Sequence, residues 1–172
     1  IQSGRTYMYF DGKPLYPFGY GLSYTQFDIK DVSLSTKKLK AQQPLDVTLT
    51  LTNKGSMNGD EVVQVYIKDL KSSQQVPAKA LKGFKRLSVG ASQAETIQIT
   101  LPYEAFSYYD TLQSQFVVEE GKFDILVGNS SDNILAKQTV SVAGGTIPKI
   151  KVGQKSGYFV ASDPNRTKDW DY

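Results

Sequence analysis

Carboxylates are the side chains that this sequence offers in adjacent pairs for acid–base chemistry, and its 172 residues include neither Cys nor His. Their absence excludes thiol nucleophiles, Ser-His-Asp triads, imidazole acid–base catalysis and zinc sites with nitrogen or sulfur ligands. Paired carboxylates remain, and such pairs hydrolyse glycosidic bonds when they flank a cleft. The adjacent acidic pairs of the sequence are Asp60-Glu61 and Glu119-Glu120.

Neither acidic pair is predicted to present two carboxylates to one substrate. Asp60-Glu61 begins an apolar alternating segment, and neighbouring residues of a strand point to opposite faces. Glu119-Glu120 stands directly before Gly121, which is typical of a turn. We interpret both pairs as solvated strand ends and expect no catalytic residue in this chain.

The oxygen ligands of the sequence do not predict a metal site. Asp124, Asn129, Asp132 and Asn133 form a loose cluster, but their spacing differs from that of a calcium-binding loop, and turn formation explains them. Tyr108-Tyr109-Asp110 could present a ring and an acid to a sugar, although core packing followed by a turn is the preferred interpretation. We expect no metal and no cofactor.

The elements that would position these residues are predicted to be β-strands. Apolar residues alternate with polar ones most clearly over 45–52, and a slip in the alternation at Lys30-Asp31 indicates a β-bulge. The segment 102–106 is compatible with a single helical turn after Pro102. About seven short strands separated by turn residues predict an all-β, antiparallel sandwich of the immunoglobulin or fibronectin type III-like kind. The predicted strands are 27–34, 45–52, 61–68, 81–87, 96–101, 116–118, then 123–127 after the turn at Gly121, and 134–142.

An irregular aromatic segment precedes these strands. Residues 4–24, here called the aromatic ribbon, hold seven of the chain's aromatic residues. The ribbon has too many rings for a solvated linker, and its Gly and Pro residues prevent a helix or a central strand. We expect it to lie against a surface, most plausibly another domain. The predicted docking residues are Arg5, Tyr7, Tyr9, Phe10, Tyr16, Phe18, Tyr20 and Tyr24.

Composition and domain boundaries complete the sequence-based prediction. An apolar content of 40% fits a globular fold, and the formal net charge of +3 comes with scattered lysines, which argues against nucleic-acid binding. The apolar runs are too short to span a bilayer. We divide the chain into the aromatic segment 1–24, a sandwich at 25–143 and a tail of unknown role at 144–172.

Several separate motifs follow one another along the chain. They are residues 12–24, Asn53-Lys54-Gly55, residues 59–66, Leu81-Lys82-Gly83-Phe84, Gly121-Lys122-Phe123 and residues 127–131. In sequence and order they resemble the C-terminal fibronectin type III-like domain of glycoside hydrolase family three, which includes β-glucosidases and β-xylosidases. The resemblance extends from about residue 5 to residue 142.

The resemblance implies a parent enzyme whose other domains supply the Asp nucleophile and the Glu acid/base. That parent would be a retaining, exo-acting hydrolase of a β-linked glucoside or xyloside, with a periplasmic or secreted location. This chain would be a non-catalytic accessory domain, inactive alone, with the catalytic domains of the same polypeptide as its partners. The alternative is a stand-alone carbohydrate-binding or adhesion module that stacks sugars on exposed rings such as those of Tyr158 and Trp170.

Overall fold

The computed structural model describes residues 6–10, 12–74 and 76–147. Arg5 and the tail aromatics Tyr158 and Trp170 lie outside these ranges. Within them the chain forms eleven strands and one 3₁₀ turn, Tyr103–Phe106. The strands are β1 Phe27–Leu34, β2 Lys38–Leu39, β3 Leu45–Asn53, β4 Gly59–Asp69, β5 Ala80–Val89, β6 Ala94–Leu101, β7 Tyr108–Asp110, β8 Gln115–Val118, β9 Gly121–Gly128, β10 Ile134–Val142 and β11 Gly145–Thr146.

Two mainly antiparallel sheets form the sandwich that the sequence predicted. One sheet has the strand order β1-β3-β6, and the other has the order β2-β10-β9-β4-β5, in which the short β2 runs parallel to β10. β1 approaches β10 at one side of the sandwich, and β5 approaches β6 at the other. A third small sheet, β11-β8-β7, extends from this body.

The core lies between the two large sheets and follows from the alternation of β3 and β4. Leu45, Leu49 and Leu51 of β3 are fully buried, and they belong to one cluster with Val63 and Val65 of β4. Each such side chain contributes about 1.5 to 3 kcal/mol of hydrophobic free energy relative to an exposed one. The polar residues between them face outward, so the period of two fixes the faces of both sheets.

Two predicted irregularities are present. The register between β1 and β3 shifts between Lys30 and Ser33, and Asp31 has a φ of 53°, so the expected bulge is confirmed. The predicted helical turn is confirmed as the 3₁₀ turn, with Pro102 at its N-cap. The hydroxyl of Tyr103 at its start donates a hydrogen bond of 2.6 Å to the backbone oxygen of Ala143, which ties the turn to the end of β10.

The β9–β10 connection is compact because Gly128 makes room for the chain that follows it. A Cβ atom on Gly128 would lie 2.1 Å from the backbone oxygen of Asn133. The side-chain amide of Asn133 donates a hydrogen bond of 2.8 Å to Oδ1 of Asn129 across the same loop. This close approach holds residues 129–132 beside the outer face of the five-stranded sheet, where the aromatic ribbon passes.

Candidate docking surface

The aromatic ribbon crosses the outer face of the five-stranded sheet. On β4, Val65 faces the core while its neighbours Gln64 and Tyr66 face outward, yet the outward side chains are 4% and 0% exposed. The ring of Tyr7 meets that of Tyr66 edge-on, with centroids 6.1 Å apart. The ribbon therefore covers part of its own domain, whereas the sequence favoured another domain as its support.

The first anchor of the ribbon is formed by Tyr7 and Met8. The Tyr7 ring stacks on that of Phe18 at 4.2 Å and an interplanar angle of 13°, which joins the two ends of the ribbon's first loop. The backbone N–H of Leu81 donates to the Tyr7 hydroxyl at 3.0 Å, and that of Ala78 donates to the Met8 carbonyl at 3.0 Å. Ala78 lies just before β5 and Leu81 is the second residue of that strand, so both contacts hold the ribbon at the start of β5.

The second anchor is the buried amide of Gln64. Its Nε2 donates to the backbone oxygens of Gly19 at 3.0 Å and Asn129 at 2.7 Å. Its Oε1 accepts a hydrogen bond of 2.5 Å from the hydroxyl of Tyr66. Burial raises the pKa of Tyr66, so its hydroxyl keeps the proton that this bond requires. One side chain thus joins the ribbon, the sheet and the β9–β10 loop.

The β9–β10 loop adds a direct contact with the ribbon. The N–H of Ser131 donates to the backbone oxygen of Phe18 at 2.8 Å. Lys79 holds the loop in place, because its ammonium group donates to the backbone oxygen of Ser131 and forms an ion pair of 3.7 Å with Asp132. The ribbon is therefore fixed by backbone contacts on two sides.

Although its backbone is anchored, the ribbon exposes much of its apolar surface. Tyr24 is 96% exposed and Tyr16 is 71% exposed. The rings of Tyr16 and Tyr20 lie 5.7 Å apart at an angle of 46° and form a tilted pair. Large apolar surfaces of this kind mark interaction sites in soluble proteins. The exposed large apolar residues of the ribbon are Phe10, Leu15, Tyr16, Phe18, Tyr20, Leu22 and Tyr24.

An open groove of about 620 Å³ adjoins the end of the ribbon. Residues 22–24 line one side of it, and residues 57–60 and 88–90 line the other. On its polar side, hydrogen bonds from Ser88 and Arg86 lower the pKa of Asp60, which therefore stays ionised and paired. The groove combines an apolar side with one satisfied ion pair, as at the core and rim of a protein interface.

The structure divides the predicted docking residues into two groups. Tyr7 and Phe18 come together as the stacked anchor, although Phe18 stays partly exposed. Phe10, Tyr16, Tyr20 and Tyr24 present exposed rings. Tyr9 is half-buried, and Arg5 lies outside the described ranges. Docking by these residues stays a prediction. The supporting contacts from Gln64, Tyr66, Lys79, Asn129 and Ser131 were not predicted as ribbon contacts. The motifs 59–66 and 127–131 contain all of these residues except Lys79, which no motif includes.

The acidic pair Asp60-Glu61 is engaged in contacts with neighbouring side chains and backbone groups. Asp60 pairs with Arg86, and the carboxylate of Glu61 accepts hydrogen bonds from the N–H of Val62 and the side chain of Asn129. The described part of the chain contains no group of three or more His, Cys, Asp or Glu residues that could share a metal ion. No helix within the described ranges has the length and apolarity needed to cross a bilayer.

The segment 108–110 differs in part from its interpretation as core packing and a turn. Asp110 does form the turn, since its Oδ1 accepts the N–H groups of Leu112 and Gln113. The ring of Tyr109, however, is about half exposed and packs edge-on against Phe116, with centroids 5.2 Å apart. These rings lie on the short β7–β8 hairpin, outside the main core.

The strand order of the two packed sheets and their single core define a fibronectin type III-like β-sandwich. Residues 61–131 match the family model of the fibronectin type III-like domain. The chain belongs to the domains of this kind that occur in glycoside hydrolase family three enzymes.

Similar proteins include enzymes with different substrates. The chain is 42% identical over 139 residues to the thermostable β-glucosidase B of Acetivibrio thermocellus, a match that covers 79% of this chain and 18% of the relative. It is 38% identical over 140 residues to the xylan 1,4-β-xylosidase of Xylanibacter ruminicola, covering 81% and 16%. The crystal structure of a family three β-glucosidase from Bifidobacterium adolescentis matches with a TM-score of 0.75 and 31% identity, covering 87% of this chain and 22% of that one. The chain thus spans less than a quarter of the length of these relatives.

Proposed function

We propose that this chain is a non-catalytic accessory domain of a retaining, exo-acting β-glycosidase, and that its aromatic ribbon docks onto the catalytic domains of the same polypeptide. The observation that carries this proposal is the ribbon itself, whose backbone is fixed to the sheet while rings such as those of Tyr16 and Tyr24 face solvent. The relatives support the choice of partner, because most of their length lies outside the matched region.

The hydrophobic free energy favours burial of the exposed rings against a partner domain. Complete burial of one large apolar side chain contributes about 1.5 to 3 kcal/mol. Aromatic residues are enriched among the few side chains that dominate binding at protein interfaces. A partner that covers the tilted pair of Tyr16 and Tyr20 and fills the groove beside Tyr24 would gain several such contributions. Docking of this kind would stabilise the catalytic domains and fix their orientation relative to the sandwich.

The proposed chemistry belongs to the other domains of the parent. There, one carboxylate would form the covalent glycosyl-enzyme intermediate and a second would act as acid and then base. The substrate would be a β-linked glucoside or xyloside, and the residues that determine this specificity would lie in the parent's substrate-binding pocket. Within this proposal, the present domain affects how long the active conformation persists and leaves the chemical step to the parent's carboxylates.

The test uses the complete parent polypeptide and its double variant Tyr16→Ser/Tyr20→Ser. We expect the double variant to lose hydrolysis of an aryl β-glucoside or β-xyloside several-fold faster than the wild type during incubation at elevated temperature. The matched control is Tyr109→Ser, which alters a half-exposed ring on the β7–β8 hairpin and should inactivate at the wild-type rate. Equal inactivation of all three proteins would refute docking through the ribbon.

The exposed ring of Tyr24 also keeps the carbohydrate-binding alternative open to test, since a free aromatic face can stack on a sugar ring. Calorimetric titration of the 172-residue chain with cello-oligosaccharides and xylo-oligosaccharides separates the two functions. We expect no measurable heat of binding. Saturable binding that Tyr24→Ala abolishes would replace the docking proposal with the carbohydrate-binding one.

A further inference from the structure

We infer that this domain itself latches the aromatic ribbon in its docking conformation, through Gly19 and Gln64, before any partner is present. The functional consequence rests on the proposed docking role, but the latch is a property of the chain alone. It would make the docking surface a preformed part of the sandwich, so that the ribbon would not have to be ordered by its partner.

The hydrogen-bonding capacity of Gln64 requires the ribbon to be in place. Both donor positions of its amide are used, one by Gly19 and one by Asn129, and its oxygen accepts from Tyr66. The side chain is 4% exposed, so water has little access to it. A buried donor left without a partner is costly, and a shift of Gly19 alone would leave Nε2 without one of its acceptors in a site that the rest of the ribbon still covers. The latched position is therefore favoured over a detached ribbon.

The geometry at Gly19 restricts this position to glycine. Its φ is +78°, a left-handed conformation that residues with a side chain seldom adopt. A Cβ atom there would lie 2.1 Å from Oε1 of Gln64 and would push the two groups apart. At Gly21, two residues further along the same ribbon, an added Cβ would meet nothing within 4 Å. Of these two glycines, only Gly19 therefore approaches the sheet too closely to accept a side chain.

The latch determines which rings face outward. Phe18 is held from both sides, because its ring stacks on Tyr7 and its carbonyl accepts the N–H of Ser131. With residues 18 and 19 fixed, the rings of Tyr16 and Tyr20 on either side project from set backbone positions. A preformed surface binds without the entropy cost of ordering a loop, so a loosened latch should weaken docking even though every exposed ring is still present.

The first test compares Gly19→Ala with Gly21→Ala in the 172-residue chain by hydrogen exchange. The reporters are the amides of Ser131 and Ala78, which donate to ribbon carbonyls, and the amides of β3 serve as the internal reference for the sandwich. We expect Gly19→Ala to speed exchange at the two reporters at least tenfold more than at β3, with Gly21→Ala at wild-type rates. Wild-type rates at the reporters in Gly19→Ala, or an equal acceleration at the reporters and β3, would overturn the latch.

The second test separates the latch from its function. The same two substitutions are placed in the complete parent polypeptide, and the rate of thermal inactivation of glycoside hydrolysis is measured. Faster inactivation of Gly19→Ala than of Gly21→Ala is expected and supports both the latch and docking. If Gly19→Ala alters reporter exchange but inactivates at the rate of Gly21→Ala, the latch stands and the proposed docking function is wrong.

Discussion

Replacement of Asn53 tests whether one buried amide holds together the point where the ribbon enters the sandwich. Asn53 is fully buried at the end of β3. Its Oδ1 accepts from the hydroxyl of Thr25 at 2.6 Å and from the N–H of Gly55 at 3.0 Å. Its Nδ2 donates to the carbonyls of Met57 at 2.8 Å and Val89 at 3.0 Å. Both turns at this end of the sandwich and the residue after the ribbon therefore depend on it.

The expected cost of Asn53→Ala follows from the partners that water cannot reach. Met57 is exposed, so its carbonyl can bind water instead, whereas Val89 is almost fully buried and Thr25 is half-buried. Each buried polar group left without a partner costs about 1 to 3 kcal/mol, so the free energy of unfolding should fall by about 3 kcal/mol. For a domain of this size that loss corresponds to a decrease in Tm of roughly 10 °C.

The assay is thermal and urea unfolding of the 172-residue chain, followed by circular dichroism. Asn58→Ala is the matched control, because its exposed side chain accepts one hydrogen bond, from the N–H of Ala91 at 2.9 Å. That substitution should cost less than about 1 kcal/mol. If Asn53→Ala lowered stability no more than the control does, the reasoning from buried hydrogen bonds would be wrong.

Three further predictions test other parts of the domain. Gly128→Ala should destabilise the domain by at least about 3 kcal/mol in a urea titration, because the new Cβ would clash with the backbone of Asn133. The control Gly121→Ala, whose new Cβ would have its nearest contact at 4.0 Å, should cost under about 1 kcal/mol. Tyr103→Phe should lower the free energy of unfolding by about 1 kcal/mol, through loss of its bond to a backbone carbonyl; no change in the urea midpoint would contradict this. Burial raises the pKa of Tyr66, so the unfolded state releases the phenolic proton at a lower pH than the folded state does. The free energy of unfolding should therefore fall as the pH rises above the ordinary pKa of 10.0. Tyr66→Phe should show a smaller fall than the wild type between about pH 8 and about pH 11.

The sandwich could be predicted from sequence because its long strands alternate strictly. The segment 45–52 shows the period of two without interruption, and it became β3, the centre of its sheet. The two-residue strands β2 and β11 and the three-residue β7 were not predicted, since so few residues show no measurable period. β2 and β11 also pair with strands that are distant in sequence, β10 and β8 respectively.

The docking surface could be predicted only in part. The density of rings in the ribbon indicated that it must be covered, but its place on β4 could not be read from the sequence. Gln64 occupies a polar position of an alternating strand, and such positions ordinarily face solvent. Its burial results from the carbonyls of Gly19 and Asn129, which converge from segments 45 and 65 residues away. Hydrogen bonds between one side-chain amide and such distant carbonyls leave no recognisable pattern in the local sequence.

Because the ribbon covers the outer face of its own sheet, the structural unit that must be inherited together begins before the first strand. A gene fusion or proteolytic cut that separated residues 6–24 from β1 would uncover Tyr66 and leave the amide of Gln64 short of a partner. Recombination that moves this sandwich between proteins should therefore transfer the ribbon together with it. The segment that resembles a connector between domains would then be inherited as part of the sandwich.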